Sequence, residues 1–463
     1  MTAIVTSKFR TLNAENFKED ISASGTSVYL GIGKSDAWSN ATSDTSDADP
    51  FVPYDHLDAL TEARENLFAM KLLGSADVSH VVPRHSWTTG TVYEAWDSND
   101  PAIFDKKFYA ITSEFKVYKC IFAPAIASTQ EPTQTLTAPT AESDGYIWKY
   151  MYTVSVADAE KFLTTSYMPV KTIDVGSFAN DAAAEAALSE GDYAQYLNQK
   201  ASASATVAGG IERIEITAGG TGYTSAPAVE ITGNGTTDAV ATATISNGAV
   251  TAITLSNKGA GYTVASVIIS GGGGSDATAR PVLPPSTGHG VDPVKELGGF
   301  FVALNTLLDG SGGTGADLAV GQDFRQVTLV KNPFNYGSST ISTATTLRAT
   351  GGLTIGSNSS SYQVDELITQ GDSGPDQVKA FVVDIDEDNG IVYYNQNSKT
   401  GYQSFVASST NIIGATSGAE HAASALVNEE VDTHSGDIIF LENRNPINRI
   451  SSQIEDIKII IEF

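Results

Sequence analysis

The chain has 463 residues with 27 Lys+Arg against 54 Asp+Glu, a formal net charge of −27, and one cysteine. That length suits roughly two to four domains and a large core without staples, while a surface this acidic repels nucleic-acid phosphates and anionic lipid headgroups, so neither nucleic acid nor membrane is expected as a partner. Cys120, inside "EFKVYKCIF", excludes an intrachain disulfide and is read as a small buried hydrophobe. The start "MTAIVTSKFRTLNAENF" has no basic region followed by an apolar one, and no apolar run approaches the roughly 20 residues of a membrane helix. A soluble protein that stays in the compartment of its synthesis is the expectation.

In chain order, "TSVYLGIG" reads as a strand ending at Gly33-Lys34-Ser35. Those three residues match the end of a phosphate-binding loop. The first glycine of that motif is replaced by Val28, however, and the acidic, proline-terminated "DAWSNATSDTSDADPFVP" offers no helix N-terminus, so no nucleotide site is assigned. Lys34 is read as a turn residue whose replacement leaves folding nearly untouched. "DHLDALTEARENLFAMKLL" predicts a helix with Leu57, Leu60, Leu67 and Phe68 on one face and Asp55 or Asp58 as cap. In "ADVSHVVPRHSWTTGTVYEAWD", Pro83 and the "TTG" turn predict an extended surface segment; Trp87, Tyr93 and Trp96 suit either core or interface, with core favoured, and Arg84 is expected to pair with a carboxylate of this chain.

The runs "KFYAITSEFKVYKCIF" and "YIWKYMYTVSV" predict strands apolar on both faces, as in the middle of layered sheets. "SVADAEKFL" predicts a short helix capped by Ser155, and the alanine-rich "DAAAEAALSEGDYAQYLNQKAS" an exposed helical connector, with Leu188, Tyr196 and Leu197 too sparse to fill a core face. From about 206 to 285 the sequence repeats itself at an offset of 39 residues: Ile214 matches Ile253, Ile216 matches Leu255, Gly220 matches Gly259, and Gly222-Tyr223 matches Gly261-Tyr262. Two copies make a small β module, since a solenoid requires about three or more. "DPVKELGGFF" predicts a helix capped by Asp292 with Pro293 first and Gly298-Gly299 ending it; "QVTLVKN", "VKAFVVDID", "GIVYYNQN" and the terminal "IEDIKIIIEF" predict strands.

"DIDEDNG" places Asp384, Asp386 and Asp388 at calcium-loop spacing, but the positions for glycine and the distal carboxylate hold Asn389 and Asn395, so a hairpin turn through Asp388-Asn389-Gly390 is preferred. His56, His80, His85, His289, His421 and His434 show no zinc spacing, no Gly-x-Ser-x-Gly elbow marks a nucleophile, and "GGTGYT" and "SGGGGSD" read as turns. No catalytic, cofactor-binding or metal-binding residue is assigned.

The stretches "ENLFAMKLLGSADVSHVVPRHSWTTGTVYEAWD", "KFYAITSEFKVYKC", "DGYIWKYMYTVSVADAEKFLTTSYMPVKT", "GHGVDPVKELGGFFVALN", "VYYNQNSKTGYQSF" and "ENRNPINRISSQIEDIKIIIEF" together resemble the baseplate wedge subunit family of T4-like contractile-tailed bacteriophages. The resemblance is collinear over about 1–175 and 286–463. It implies a mainly β, layered β-sandwich with helices on loops, a homodimer contacting neighbouring wedge proteins in the virion baseplate, and no enzyme activity or cofactor. Compact members lack the repeats. The expected organisation is therefore a core of 1–175 and 286–463, a helical connector of 176–205 and an inserted glycine-rich β-repeat module of 206–285 that either contacts a baseplate neighbour or faces solvent. The alternative is a tail protein that binds a receptor or glycan through the module.

Overall fold

The computed structural model describes residues 6–38, 47–124, 126–203, 209–285, 288–309, 323–450 and 453–463. Residues 39–46 of the acidic stretch after Ser35, the join of the expected connector and module at 204–208, and 286–287 lie outside them. The chain is mainly β, with several antiparallel sheets and few helices. It divides into two compact units: Met1–Glu15, Ser79–Ala303 and Ile460–Phe463 form one, Asn16–Val78 and Leu304–Ile459 the other.

In the second unit a five-stranded sheet runs Thr346–Arg348, Leu67–Leu72, Val28–Gly33, Asp323–Lys331, Asp437–Asn448. Its middle strands are buried along their length, as the continuous apolar runs predict: every residue of Val28–Gly33 is inaccessible, and Leu30 faces Leu329 on one side and Lys71 on the other. Gly31 and Gly33 are packing residues. A Cβ on Gly31 would lie 2.5 Å from Thr328 Oγ1, and one on Gly33 2.6 Å from the Asn66 carbonyl. A seven-stranded sheet in the same unit has Val378–Asp386 and Ile391–Asn395 near its centre, over a core of Leu353, Ile368, Val382, Val392, Phe405 and Ile412.

One prediction fails here. The expected helix over 55–73 is a helix only at Leu57–Asn66; Leu67–Leu72 is a buried sheet strand, so Leu67 and Phe68 share no helical face with Leu57, which is exposed. The cap is His56, whose Nδ1 accepts from Ala59 N at 3.3 Å, rather than Asp55 or Asp58. Sheet pairing overrides the helical spacing because Leu67 to Met70 are all buried between neighbouring strands. The N-terminal helix Ser7–Ser22 carries no strong apolar stripe and was not anticipated.

The first unit centres on a four-stranded sheet ordered Tyr109–Ile111, Lys116–Phe122, Ile147–Thr153, Thr140–Ala141. Its two faces bury Phe108, Tyr109, Val117, Met151 and Tyr152 in one cluster and Tyr93, Tyr118, Cys120, Tyr146, Trp148 and Tyr150 in another. Ser155 caps Val156–Phe162 by accepting from Asp158 N at 3.0 Å, and Asp292 caps Pro293–Leu297, which ends at Gly298 with φ 79°. The connector is two helices, Asp181–Ala187 and Glu190–Ala203. The second is not simply exposed: Gln195, Tyr196, Asn198 and Gln199 are buried, because polar side chains on that face satisfy backbone groups of neighbouring segments, as Gln199 does with Ile173 and Val291.

The repeats fold as three strand pairs: Arg213–Thr221 with Ser275–Val282, Ala228–Gly233 with Ala265–Ser270, and Val240–Ser246 with Ala249–Asn257. The first strand of each copy pairs with the third strand of the other, and the two middle strands pair together. Ile214 opposes Pro281 while its counterpart Ile253 opposes Ala243, and Ile216 opposes Ala279 while Leu255 opposes Ala241. The turns repeat as well: φ is 65° at Gly220 and 64° at Gly259, 77° at Gly222 and 74° at Gly261. Each copy thus completes the other. This internal pseudo-twofold is why two copies suffice.

Candidate functional site

The features singled out in the sequence are dispersed, and the structure gives each a local role. Lys34 does lie in a turn, at φ 61°, its N–H bonded to the Asn66 carbonyl at 2.9 Å. It is buried, however, with Nζ 2.9 Å from Asp36 Oδ1, 4.0 Å from Glu62 and 4.9 Å from the Trp38 ring centre, so the expectation that it can be replaced freely is corrected. Asp388-Asn389-Gly390 is the hairpin turn preferred above, with Asp386 Oδ1 accepting from Asn389 N at 2.9 Å and Asp386 paired to Ile391. Among the described residues no group of acidic, histidine or cysteine side chains is arranged to hold a metal. Cys120 is buried, and burial raises its thiol pKa.

The histidines are scattered. His80 Nδ1 lies 3.0 Å from the Gly299 carbonyl, His85 packs 4.9 Å from Tyr109, and His421 lies 6.1 Å from Tyr362. Of the three aromatics, Tyr93 is core, and Trp87 and Trp96 pack half-buried against the two clusters. Arg84 donates to Ser86 Oγ at 3.1 Å and the Thr164 carbonyl at 2.9 Å, neutral acceptors in place of the carboxylate expected.

Two features were not anticipated. The first is the seat of the repeat module on the loop after Trp96. Arg213 Nη1 donates to the Trp96 carbonyl at 2.6 Å, Arg280 Nη1 to Asp97 Oδ1 at 2.8 Å, Asn99 Nδ2 to the Pro281 carbonyl at 2.9 Å, and Leu283 N to Ser98 Oγ at 3.0 Å. The hydrogen bond from Arg280, before all else, holds the Asp97 carboxyl below its ordinary range.

The second is a buried charge cluster beneath that seat. Lys119 and Lys149 face each other directly across adjacent strands, both inaccessible. Like charges so placed repel, and each costs desolvation, so both need partners. Glu296 accepts from Lys119 Nζ at 2.9 Å and from Gly290 N at 2.7 and 2.9 Å, and Lys119 lies 3.8 Å from the Trp96 ring centre. Lys149 donates to the Thr137 carbonyl and to Asn198 Oδ1. His289 Nε2 meets Glu212 Oε2 at 2.7 Å, joining the residue that leads into the module's first strand to the chain just after the module. Burial lowers the pKa of both lysines and His289; it also opposes ionisation of Glu212, but His289 and Lys119 outweigh it and keep that carboxyl low. The signal in the sequence was a lysine inside each of two otherwise apolar runs, "VYKCIF" and "YIWKYMY".

Phe51, Val52, Tyr54 and Leu57 fall within seven residues and are 40, 77, 72 and 76% exposed, a concentration of large apolar side chains that suits contact with another protein.

Comparison with known proteins finds one curated relative, "Baseplate wedge protein gp8" of Enterobacteria phage T4, 24% identical over 202 residues, covering 36% of this chain. The match spans 60% of that relative's length. A protein-family model, described as "Bacteriophage T4, Gp8", matches residues 3–131, and over that stretch the chain bears out the resemblance to this baseplate wedge family that its sequence motifs carry.

Proposed function

We propose that this chain is a structural subunit of the baseplate wedge of a contractile-tailed bacteriophage, located in the virion tail and working by protein–protein contact without catalysis. The match over residues 3–131 carries the reading. Support comes from the exposed Phe51, Val52, Tyr54 and Leu57, which fall inside the matched stretch. On this reading the chain forms a homodimer, meets neighbouring wedge proteins through fixed surfaces, and moves with them when the baseplate rearranges on infection. The core of 1–175 and 286–463 supplies those surfaces. The module of 206–285, seated on Trp96–Asn99, reaches a further neighbour.

Cross-linking mass spectrometry of intact particles tests this. Links from residues 51–57 to a second copy or to another wedge protein are expected, and absence of the chain from purified tails would overturn the reading. Deleting 206–285 tests the module separately: particles that assemble with unchanged yield and stability would show that it makes no required contact.

A further inference from the structure

The cluster beneath the module holds an unusual triad. Of the two opposed lysines, only Lys119 is hydrogen-bonded to a carboxylate, that of Glu296. Lys149 is left against a neutral carboxamide, that of Asn198, which is wholly inaccessible. The three side chains converge on Gly290: a Cβ there would lie 2.9 Å from Lys149 Cε, 3.3 Å from Asn198 Oδ1 and 3.5 Å from Lys149 Nζ, while the Gly290 N–H points at Glu296. We propose that Lys149 and Asn198 react to form an intramolecular isopeptide bond, joining Lys149 Nζ to Asn198 Cγ with release of ammonia.

The chemistry balances without an oxidant or cofactor. The lone pair of the uncharged Lys149 amine adds to Asn198 Cγ, forming the C–N bond and placing charge on Oδ1. As the carbonyl reforms, the Cγ–Nδ2 bond breaks, a proton lost by the lysine nitrogen is passed to Nδ2, and Nδ2 leaves as ammonia. Three features favour this. Burial, reinforced by the Lys119 cation and only partly offset by Glu296, brings the Lys149 amine down to about 8, so a usable fraction is uncharged near neutrality. Asn198 Oδ1 accepts a hydrogen bond from Lys149 Nζ, and Nδ2 is held by the Leu136 carbonyl at 3.2 Å, so the amine and a fixed amide already lie side by side, and turning the amine lone pair toward Cγ starts the reaction. Glu296, whose charge acts on Lys149, is the carboxylate assigned the proton relay, and the burial of all three side chains keeps bulk water away. The bond ties the helix Glu190–Ala203 to the central sheet strand Ile147–Thr153 under the neck of the module, bracing the place where load on the module enters the unit.

The full-length purified chain, denatured and weighed intact, decides the matter. The expected mass is one ammonia below that of the sequence, with a branched proteolytic peptide joining the Lys149 and Asn198 segments. Lys149→Arg and Asn198→Ala are expected to give unbranched chains at their own sequence masses, and Glu296→Gln to abolish or greatly slow the link while circular dichroism still reports a folded chain. A folded wild-type chain at full sequence mass with no branched peptide overturns the proposal. A link formed at an undiminished rate in Glu296→Gln overturns the relay assigned to that carboxylate.

Discussion

The middle of the five-stranded sheet and the repeat module bury β-strands by different means. Val28–Gly33 is buried at every position and Asp323–Lys331 from Phe324 to Val330, with side chains of neighbouring strands filling the space over Gly31. In the module, Ala265–Ser270 alternates between half-buried and exposed, and the core is thin: alanines at 239, 241 and 243 around Tyr223 and Tyr262. The sheet is held by the volume it buries. The module is held by backbone geometry, by glycine turns repeated across its pseudo-twofold and by the mutual strand exchange of the two copies. Damage should therefore register differently: lost methylenes matter most in the first, and an added methyl at a turn matters most in the second.

The largest effect is expected in the sheet. Leu329→Ala, at a fully inaccessible position, should cost about 3 to 4 kcal/mol in chemical denaturation. In the module, Gly220→Ala would put a Cβ 2.3 Å from the Ser275 carbonyl, and Gly259→Ala one 2.6 Å from that of Thr237, both at left-handed φ. Each should cost roughly 2 to 3 kcal/mol locally, seen as faster amide exchange across all three strand pairs with the five-stranded sheet unchanged. Unequal effects of the two substitutions would break the symmetry argument.

Lys34→Met comes next, at about 2 kcal/mol, since it strands a largely buried Asp36 that retains Lys399 as a partner. The acid limb sharpens it. Burial works against the Asp36 carboxylate, but Lys34 and Lys399 outweigh it and hold its pKa below the ordinary range. The unfolded chain then binds the proton more readily, so this contribution is present above the unfolded carboxylate pKa of about 4 and is lost as pH falls through the lower folded value. Lys34→Met should flatten that loss in thermal melts across the acid range. Smallest is Gly271→Ala, at a left-handed turn with nothing within 4 Å, at about 1 kcal/mol.

The elements legible in advance were those whose signal is local. Ser155 and Asp292 cap helices because a side-chain oxygen three residues before a free N–H suffices, and Gly298 ends one because it alone tolerates φ 79° cheaply. The hairpin at Asp388-Asn389-Gly390 is similarly local. The strand at Leu67–Leu72 was hidden because its apolar residues fit a helical spacing equally well until neighbouring strands at Val28–Gly33 and Thr346–Arg348 are in place. The charge cluster was hidden for a stronger reason: Lys119, Lys149, Asn198, Glu212, His289 and Glu296 are spread over 178 positions, and no spacing rule joins them.

By itself the sequence determined the mainly β class, the caps and turns, the repeat with its paired glycines, and the family signature of the N-terminal part, because these rest on side chains acting on their own neighbourhood or on motifs written in order. Only the tertiary structure decided that Lys34 is buried rather than idle, that the two repeats exchange strands, and that two lysines meet across one sheet with a carboxylate bonded to only one of them. Those depend on which distant segments pair, and pairing is selected by burial and hydrogen bonding over the whole chain.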